Sequence, residues 1–320
     1  MDDDAVTSWV EPREVPREEF PASTWEPQGM RTLEADARPR HGTATLGVEY
    51  AEKSGRTLHL QIIQPSRQVA EVPGSESRLP LVVFVQGSAW LEQALGVSLL
   101  PLADFAERGY VVAIVEYRPS FVAPFPAQVR DAKTAIRFLR AHADDYGIDA
   151  ERVAMWGDSS GGHTTVLTYL TEDDPEYSDE PTDEPLGVSC YVDYYAPTDI
   201  SRMNQEPSTM DHVSPGSPEG LLIGGHAVLE SAELVAPTVA MNHIRPDRDL
   251  KPLLIVHGDK DRLVPFQQSA LLYEALVEAG QPVDLYRLKG ADHGGPAVWA
   301  EPVMDLVDGF IRSHLPATAG

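Results

Sequence analysis

A serine flanked by glycines is the first feature of this sequence that could carry chemistry. Residues 157–161 read Gly-Asp-Ser-Ser-Gly, which fits the pattern G-x-S-x-G. They follow an apolar run at 152–156 that is typical of a buried strand, and a helix is expected to begin near Ser160. In this setting a sharp strand-to-helix turn exposes the central hydroxyl, and the glycines avoid steric clashes. Ser159 is therefore the candidate nucleophile.

A base and an orienting carboxylate are expected further along the chain, because a serine hydroxyl is a poor nucleophile until its proton is removed. The predicted strand 253–257 is followed by Asp259 and Asp261, of which we prefer Asp261. A later loop carries His293 next to glycines. The carboxyl ends of parallel strands share one edge of a sheet. We therefore expect Asp261 and His293 beside Ser159, in the chain order Ser, Asp, His.

A loop of small residues could bind the oxyanion that forms when a serine attacks a carbonyl. It leaves the predicted strand 81–85 and reads Gln-Gly-Ser-Ala-Trp at 86–90. Small residues let backbone N–H groups approach a substrate, and a helix N-terminus adds a further donor. The candidate donors are the backbone N–H groups of Ser88, Ala89 and Ser160. The candidate substrate-binding residues beside them are Gly87, Trp90 and Asp158. Core packing for Trp90 and a structural role for Asp158 are the alternatives.

The remaining histidines show no metal-binding pattern. His212, His226 and His243 fall in one long insertion, but no spacing such as H-x-x-x-H links them. We therefore predict no metal site. His163 and His257 are interpreted as structural residues. Acyl transfer through a serine needs no cofactor, and none is predicted.

Composition and charge argue against several classes of protein. The 320 residues are 42% hydrophobic, which is enough for a sizeable core. With 25 Lys plus Arg against 50 Asp plus Glu, the net charge of −25 disfavours binding to nucleic acids or anionic membranes. No apolar run is long enough for a transmembrane helix, and the acidic start of the chain shows no export signal. The single cysteine, Cys190, allows no internal disulfide, so a cytoplasmic protein is expected.

Strands and helices alternate along most of the chain, which predicts a mainly parallel sheet. Residues 1–42 are rich in Pro, Glu and Arg and are interpreted as an extended arm. Its aromatic residues Trp9, Phe20 and Trp25 either contact the rest of the chain or mediate association with another subunit. The predicted strands are 43–50, 56–64, 81–85, 110–115, 152–156, 188–195, 253–257 and 283–288, the first two antiparallel. The predicted helices are 99–108, 127–142, one from Ser160, 266–279 and one containing Val303, Leu306, Val307, Phe310 and Ile311.

Three segments interrupt this alternation. Residues 65–80 are expected to form a polar loop, and the acidic residues 172–186 a surface loop. Residues 197–250 are long, weakly periodic and rich in Pro, Ser, Met and His. Insertions of this length in compact domains are usually lids or binding loops, so 197–250 is the predicted cap.

Taken together, these motifs resemble the α/β-hydrolases of the esterase and lipase branch, in particular bacterial carboxylesterases related to feruloyl and acetylxylan esterases. The resemblance covers about residues 43–315. The segments that carry it are Gln86 to Trp90, Tyr117-Arg118, Pro126 to Leu139, Tyr146 to Asp149, Gly157 to His163, Ser217 to Glu219 with Ile223 to Gly225, His257 to Pro265 and Gly290 to Gly294. One departure lies in the oxyanion loop. There Gln86 replaces the family's histidine and Ser88-Ala89 its two following glycines, which implies a narrower acyl side.

The resemblance implies an α/β-hydrolase fold with a predominantly parallel eight-stranded sheet, helices on both faces and a cap insertion at about 197–250. The catalytic domain would span 43–320. Its activity would be that of a serine carboxylesterase acting on short-chain acyl or hydroxycinnamoyl esters of carbohydrate or plant origin. The expected partner is a small-molecule ester, with homo-oligomerisation left open.

Three alternatives stay open at this point. The same residues serve amide hydrolysis in arylformamidases and in peptidases of the prolyl-oligopeptidase type. Water and alcohol acceptors use the same residues, so acyl transfer to an alcohol is a second alternative. The third is a non-catalytic binding module on a hydrolase fold.

Overall fold

The computed structural model describes residues 10–34, 41–66, 78–181 and 183–317. Contacts divide the chain into two units, Met1–Ala37 and Arg38–Gly320. In the first unit the described residues form a single 3-10 turn, Arg17–Glu19, and no other helix or strand. Trp9 lies outside the described residues, as does most of the loop predicted at 65–80.

The described part of the second unit contains one eight-stranded sheet. Its strands are β1 (Thr43–Lys53), β2 (Arg56–Gln64), β3 (Leu79–Val85), β4 (Val111–Val115), β5 (Ile148–Asp158), β6 (Val188–Tyr194), β7 (Leu253–Gly258) and β8 (Val283–Leu288). The order is β1-β2-β4-β3-β5-β6-β7-β8. The β1/β2 and β2/β4 pairs are antiparallel, and the other five pairs are parallel. This confirms the predicted fold class.

The helices follow the strands as the alternation predicts. They are α1 (Leu99–Ala106), α2 (Ala127–Ala141), α3 (Ala143–Tyr146), α4 (Ser160–Leu170), α5 (Pro218–Leu222), α6 (Ala232–Val235), α7 (Gln267–Glu278) and α8 (Glu301–His314). Short 3-10 helices connect several of them. No helix among the described residues is both long and apolar enough to cross a membrane.

The sheet separates two apolar cores, because successive side chains of a strand point to opposite faces. In β3, Val83 and Val85 belong to one core and Val82 and Phe84 to the other. Helices α2, α4 and α7 pack on the first face, and α1 and α8 pack on the second. A parallel strand is thus buried on both faces, which explains why β3 and β4 read as continuous apolar runs.

Two local differences from the sequence prediction have clear physical causes. Strand β5 begins at Ile148, not at 152, since Ile148 and Asp149 pair with the start of β3 across a register shift. The polar residues in this extension hide it from a search for apolar runs. The β1/β2 hairpin turns through Ser54 and Gly55, which have φ of 54° and 70°. Two consecutive positive φ angles give the tight turn whose twist matches that of the flanking strands.

Candidate active site

The turn between β5 and α4 holds Ser159 in a strained backbone conformation. Its φ is 54° and its ψ is −125°, backbone angles that residues with a Cβ rarely adopt. The Ser159 N–H donates to Tyr194 O at 2.8 Å, which fixes the turn against β6. A Cβ at Gly157 would lie 2.3 Å from Gly161 O, and a Cβ at Gly161 would lie 1.9 Å from Val85 O. The turn therefore requires both glycines of the motif.

The structure brings the three predicted triad residues together in one hydrogen-bonded chain. Nε2 of His293 lies 2.9 Å from Oγ of Ser159. Nδ1 of the same imidazole lies 2.7 Å from Oδ2 of Asp261. The side chains come from the loops that follow β5, β7 and β8, which are adjacent or nearly adjacent strands. This is the shared carboxyl edge that the alternation of strands and helices predicts.

Asp261 is held as an ionised carboxylate. Its Oδ1 accepts hydrogen bonds from the backbone N–H groups of Leu263 and Val264, at 2.8 and 2.9 Å. Burial alone would raise its pKa, but hydrogen bonds from His257 and His293 outweigh burial and hold the pKa well below its usual range. An ionised Asp261 keeps a proton on Nδ1 of His293, so Nε2 is left to accept the proton of Ser159.

His257 takes part in this arrangement in a way the sequence analysis did not anticipate. Its Nε2 lies 3.1 Å from Asp261 Oδ2 and 3.0 Å from Val264 O, both of which are acceptors. Nε2 must therefore carry a proton. Its Nδ1 lies 2.7 Å from Ser269 Oγ. Interpreted as structural from the sequence, this histidine also contacts the candidate carboxylate directly.

Asp259, the alternative carboxylate, contacts the backbone of the loop that carries His293 and not the imidazole. Its Oδ1 accepts a hydrogen bond from the backbone N–H of Gly290 at 2.6 Å. Asp259 thus ties down the loop that carries His293 and makes no hydrogen bond to the imidazole among the described residues.

The oxyanion loop differs from the expectation at one donor. The N–H groups of Ala89 and Ser160 have no hydrogen-bond partner among the described residues. The N–H of Ser88, however, donates to the side-chain Oγ of Ser160 at 2.9 Å. The expectation that Ser88 supplies a free donor is therefore corrected, because the hydroxyl of Ser160 already occupies it. Two of the three candidate amides remain open.

The predicted substrate-binding residues line a cavity of about 280 Å³ beside Ser159. The carboxylate of Asp158 is already engaged, since it accepts from Gly87 N–H at 2.7 Å and from Tyr195 OH at 3.4 Å. Burial raises the pKa of Asp158, and the Gly87 hydrogen bond opposes that rise. Gly87 and Asp158 therefore fix the position of the loop, with the Gly87 N–H and both carboxylate oxygens of Asp158 already engaged within the protein.

Trp90 combines the two roles that the sequence left open. It lines the cavity, yet it is also buried in an apolar cluster with residues of the 197–250 insertion. Its Nε1 donates to Nδ1 of His163 at 3.2 Å, and Nε2 of that histidine lies 2.9 Å from Thr238 O. Burial lowers the pKa of His163 to about 4, so the ring is a neutral structural link between the oxyanion loop and the insertion.

Several cavity residues were not predicted as site residues, although Glu219 belongs to the segment Ser217 to Glu219 that carries the family resemblance. Tyr195 packs its ring 4.6 Å from that of His293 and restricts the imidazole. Met210, His212 and Glu219 come from the insertion. His212 Nδ1 lies 2.8 Å from Glu219 Oε1, and its Nε2 lies 2.9 Å from Leu263 O. Burial lowers the pKa of His212, but the hydrogen bond with Glu219 outweighs it and raises the pKa overall.

A serine on a strand-to-helix turn, a histidine and carboxylate on later loops, and this sheet order define an α/β-hydrolase. Within that class the chain belongs to the BD-FAE family, whose sequence model matches residues 68–276.

Comparisons with individual proteins agree with this assignment. The chain is 28% identical to the esterase LipC of Mycobacterium tuberculosis over 233 residues, which is 72% of this chain and 54% of LipC. It thus spans about half the length of that relative. The propionate-bound esterase Est2 of Thermogutta terrifontis is 25% identical with a TM-score of 0.65, covering 86% of this chain and 97% of Est2. A truncated form of a carbohydrate esterase from gut microbiota shares the fold, with 24% identity and a TM-score of 0.71, covering 88% of this chain and 99% of that truncated chain.

Proposed function

We propose that this protein hydrolyses carboxylic esters through an acyl-enzyme on Ser159. The observation that carries the proposal is the continuous hydrogen-bonded chain from Asp261 through His293 to Ser159, at 2.7 and 2.9 Å. Ser159 and His293 line a cavity that Ala89 and Ser160, whose backbone N–H groups have no partner among the described residues, also line. A nucleophile, a base and two oxyanion donors therefore surround one site where a carbonyl group fits.

The reaction proceeds in two similar steps, acylation of Ser159 and hydrolysis of the acyl-enzyme. Ser159 Oγ attacks the carbonyl carbon while its proton passes to Nε2 of His293, and the N–H groups of Ala89 and Ser160 bind the oxyanion. The imidazolium, stabilised by Asp261, then protonates the leaving alcohol as the carbon–oxygen bond breaks. Water attacks the acyl-serine with His293 as base. Collapse of the second oxyanion returns the proton to Ser159 and releases the acid.

Two observations support a short acyl group and an ester bond. The cavity of about 280 Å³ suits a small ester. Est2 is a propionate-bound esterase and LipC carries the name esterase. We therefore propose short-chain acyl esters of small alcohols or sugars as the substrates, with hydroxycinnamoyl esters as the larger acyl group to be compared.

Initial rates on a panel of esters test this function. The panel contains p-nitrophenyl esters of increasing acyl length, methyl ferulate, acetylated xylooligosaccharides and the anilide that corresponds to the best ester. We expect highest kcat/KM for the short acyl esters, and Ser159→Ala should lose on the order of 10⁶ in kcat while staying folded. Comparable turnover by Ser159→Ala would remove Ser159 from the mechanism. Turnover of the anilide alone would assign the protein to the amidases.

We also propose a cytoplasmic location. The single cysteine, Cys190, is buried in β6, and burial raises its thiol pKa to about 12, which keeps it unreactive. A chain of this composition fits a reducing compartment. Cell fractionation with a cytoplasmic and an exported marker tests the location, and recovery with the exported marker would contradict it.

A further inference from the structure

The hydroxyl of Tyr117 lies under the oxyanion loop and has no part in the reaction as described above. Its side chain is fully buried just beyond the end of β4. Its Oη lies 2.8 Å from Ser88 Oγ and 3.0 Å from Ser160 Oγ. One of these serines belongs to the oxyanion loop and the other follows the candidate nucleophile. Tyr117 therefore joins the two segments that supply the oxyanion donors.

The side chains of Tyr117, Ser88 and Ser160 form a cluster with the Ser88 N–H and Leu91 O. Only one arrangement of protons satisfies all four hydrogen bonds of this cluster. Each hydroxyl carries a single proton. Ser88 Oγ donates to Leu91 O at 2.7 Å, so it can only accept from Tyr117. Tyr117 then accepts from the hydroxyl of Ser160, whose oxygen accepts the N–H of Ser88 at 2.9 Å. Burial raises the pKa of Tyr117 to about 12, so its hydroxyl keeps the proton that this arrangement needs.

The cluster stabilises the strained turn at residues 88–91. Leu91 N–H donates to Ser88 O at 3.0 Å and closes the turn around Ala89 and Trp90. These two residues have φ of 57° and 55°, although each carries a Cβ. Such conformations persist only where the surrounding structure fixes them. The direction of the Ala89 N–H depends on this turn. The cluster fixes both ends of the turn, because it binds the N–H and Oγ of Ser88 and the carbonyl oxygen of Leu91.

We infer that Tyr117 is a positioning residue that acts through Ser88 and Ser160. It directs the Ala89 N–H towards the oxyanion and keeps the Ser88 N–H bonded to Ser160 Oγ, away from the oxyanion. The inference rests on the proposed ester hydrolysis for its kinetic consequence. It predicts that a residue outside the cavity controls kcat, because a displaced donor weakens binding of the transition state more than binding of the ground state.

The kinetic test compares Tyr117→Phe with Tyr110→Phe. Tyr110 is also a fully buried tyrosine, but its hydroxyl donates to Asp308 Oδ1 at 2.7 Å, a contact with α8. Tyr117→Phe loses two hydrogen bonds and Tyr110→Phe loses one, so both are expected to melt at a lower temperature. We expect kcat to fall about tenfold or more in Tyr117→Phe, with little change in KM, and to stay near wild type in Tyr110→Phe.

A rescue variant and a second disruption separate positioning from general damage. Glycine adopts positive φ without strain, so Ala89→Gly combined with Tyr117→Phe should recover part of the lost kcat. Ser88→Ala, which keeps the backbone N–H but removes the hydroxyl, should lower kcat in the same direction as Tyr117→Phe. A folded Tyr117→Phe with wild-type kcat would overturn the inference, as would a rise in KM with kcat unchanged.

Hydrogen exchange provides a readout that does not depend on activity. Amides of residues 86–92 should exchange faster in Tyr117→Phe than in wild type or in Tyr110→Phe. If wild type hydrolysed no ester, the proposed function would fail, and the exchange rates would still decide whether Tyr117 holds the loop. Equal exchange in all three proteins would overturn the positioning role even if the enzyme is active.

Discussion

His257 Nε2 lies 3.1 Å from Oδ2 of Asp261, and neither side chain is exposed to solvent. The same oxygen accepts a hydrogen bond from Nδ1 of His293 at 2.7 Å. One carboxylate oxygen thus accepts from two imidazoles, one that faces the cavity and one buried behind the sheet edge. His257 therefore stabilises the charge on Asp261 from the side opposite the proposed chemistry.

Removing the His257 donor should weaken the proposed triad. We expect His257→Phe to lower kcat/KM by about tenfold or more, because a hydrogen bond to an ionised group is lost. The pKa of Asp261 should rise, since the charged form loses a donor. Steady-state kinetics of the purified variants checks the loss of kcat/KM. Ser269→Ala is the control, because it leaves Nε2–H in place, and an unchanged kcat/KM in His257→Phe would contradict the role.

The two candidate carboxylates should behave very differently. Asp261→Asn is expected to lose on the order of 10⁴ in kcat, because an amide in place of the carboxylate favours the wrong tautomer of His293. Asp259→Asn should keep nearly wild-type kcat, since its amide oxygen can still accept the Gly290 N–H. Steady-state kinetics of both purified variants checks this prediction. A larger loss in Asp259→Asn would exchange the two assignments.

Asp193 should make the folded state less stable at alkaline pH. It is fully buried at the end of β6, and burial raises its pKa to about 8, opposed by a hydrogen bond from Ala196 N–H. In the unfolded chain an aspartate titrates near about pH 4. Between these values the folded protein keeps a proton that the unfolded chain has released. The free energy of unfolding therefore falls as the pH rises through that window, by at most about 1.4 kcal/mol per pH unit.

Asp193→Asn should remove this dependence. Urea unfolding at several pH values is expected to show a flatter profile for Asp193→Asn than for wild type, with the largest gain in stability at the alkaline end. Asp104→Asn, on the exposed side of α1, serves as the control and should follow the wild-type profile. If wild type and Asp193→Asn share one pH slope, Asp193 is ionised in the folded protein and the prediction is wrong.

The parts of the fold and site that local sequence predicts are those set by local physics. Strand β3 is buried on both faces and reads as an apolar run, so its place in the sheet is visible in the chain. Ser159 is recognisable because the turn around it has no room for a Cβ at Gly157 or Gly161. Each signal depends on residues within a few positions of one another.

Contacts between distant segments carry no comparable signal. The Ser88 N–H meets the hydroxyl of Ser160 72 residues later in the chain, and this contact depends on how two loops cross. His257 reads as the end of a buried strand, and nothing nearby in the sequence shows that its ring turns towards Asp261. Met210 lies in a weakly periodic insertion whose path is fixed by tertiary contacts such as the His212–Glu219 hydrogen bond. These contacts become visible only in the folded chain.

Covalent labelling of Ser159 tests the central claim most directly. The full-length protein is treated with a p-nitrophenyl phosphonate, which traps an activated serine as a stable ester, and is then examined by intact mass and peptide mapping. We predict one adduct per chain on Ser159, loss of esterase activity in step with labelling, and no adduct in Ser159→Ala. Labelling at another residue, or ester hydrolysis that persists in fully labelled protein, would contradict the account.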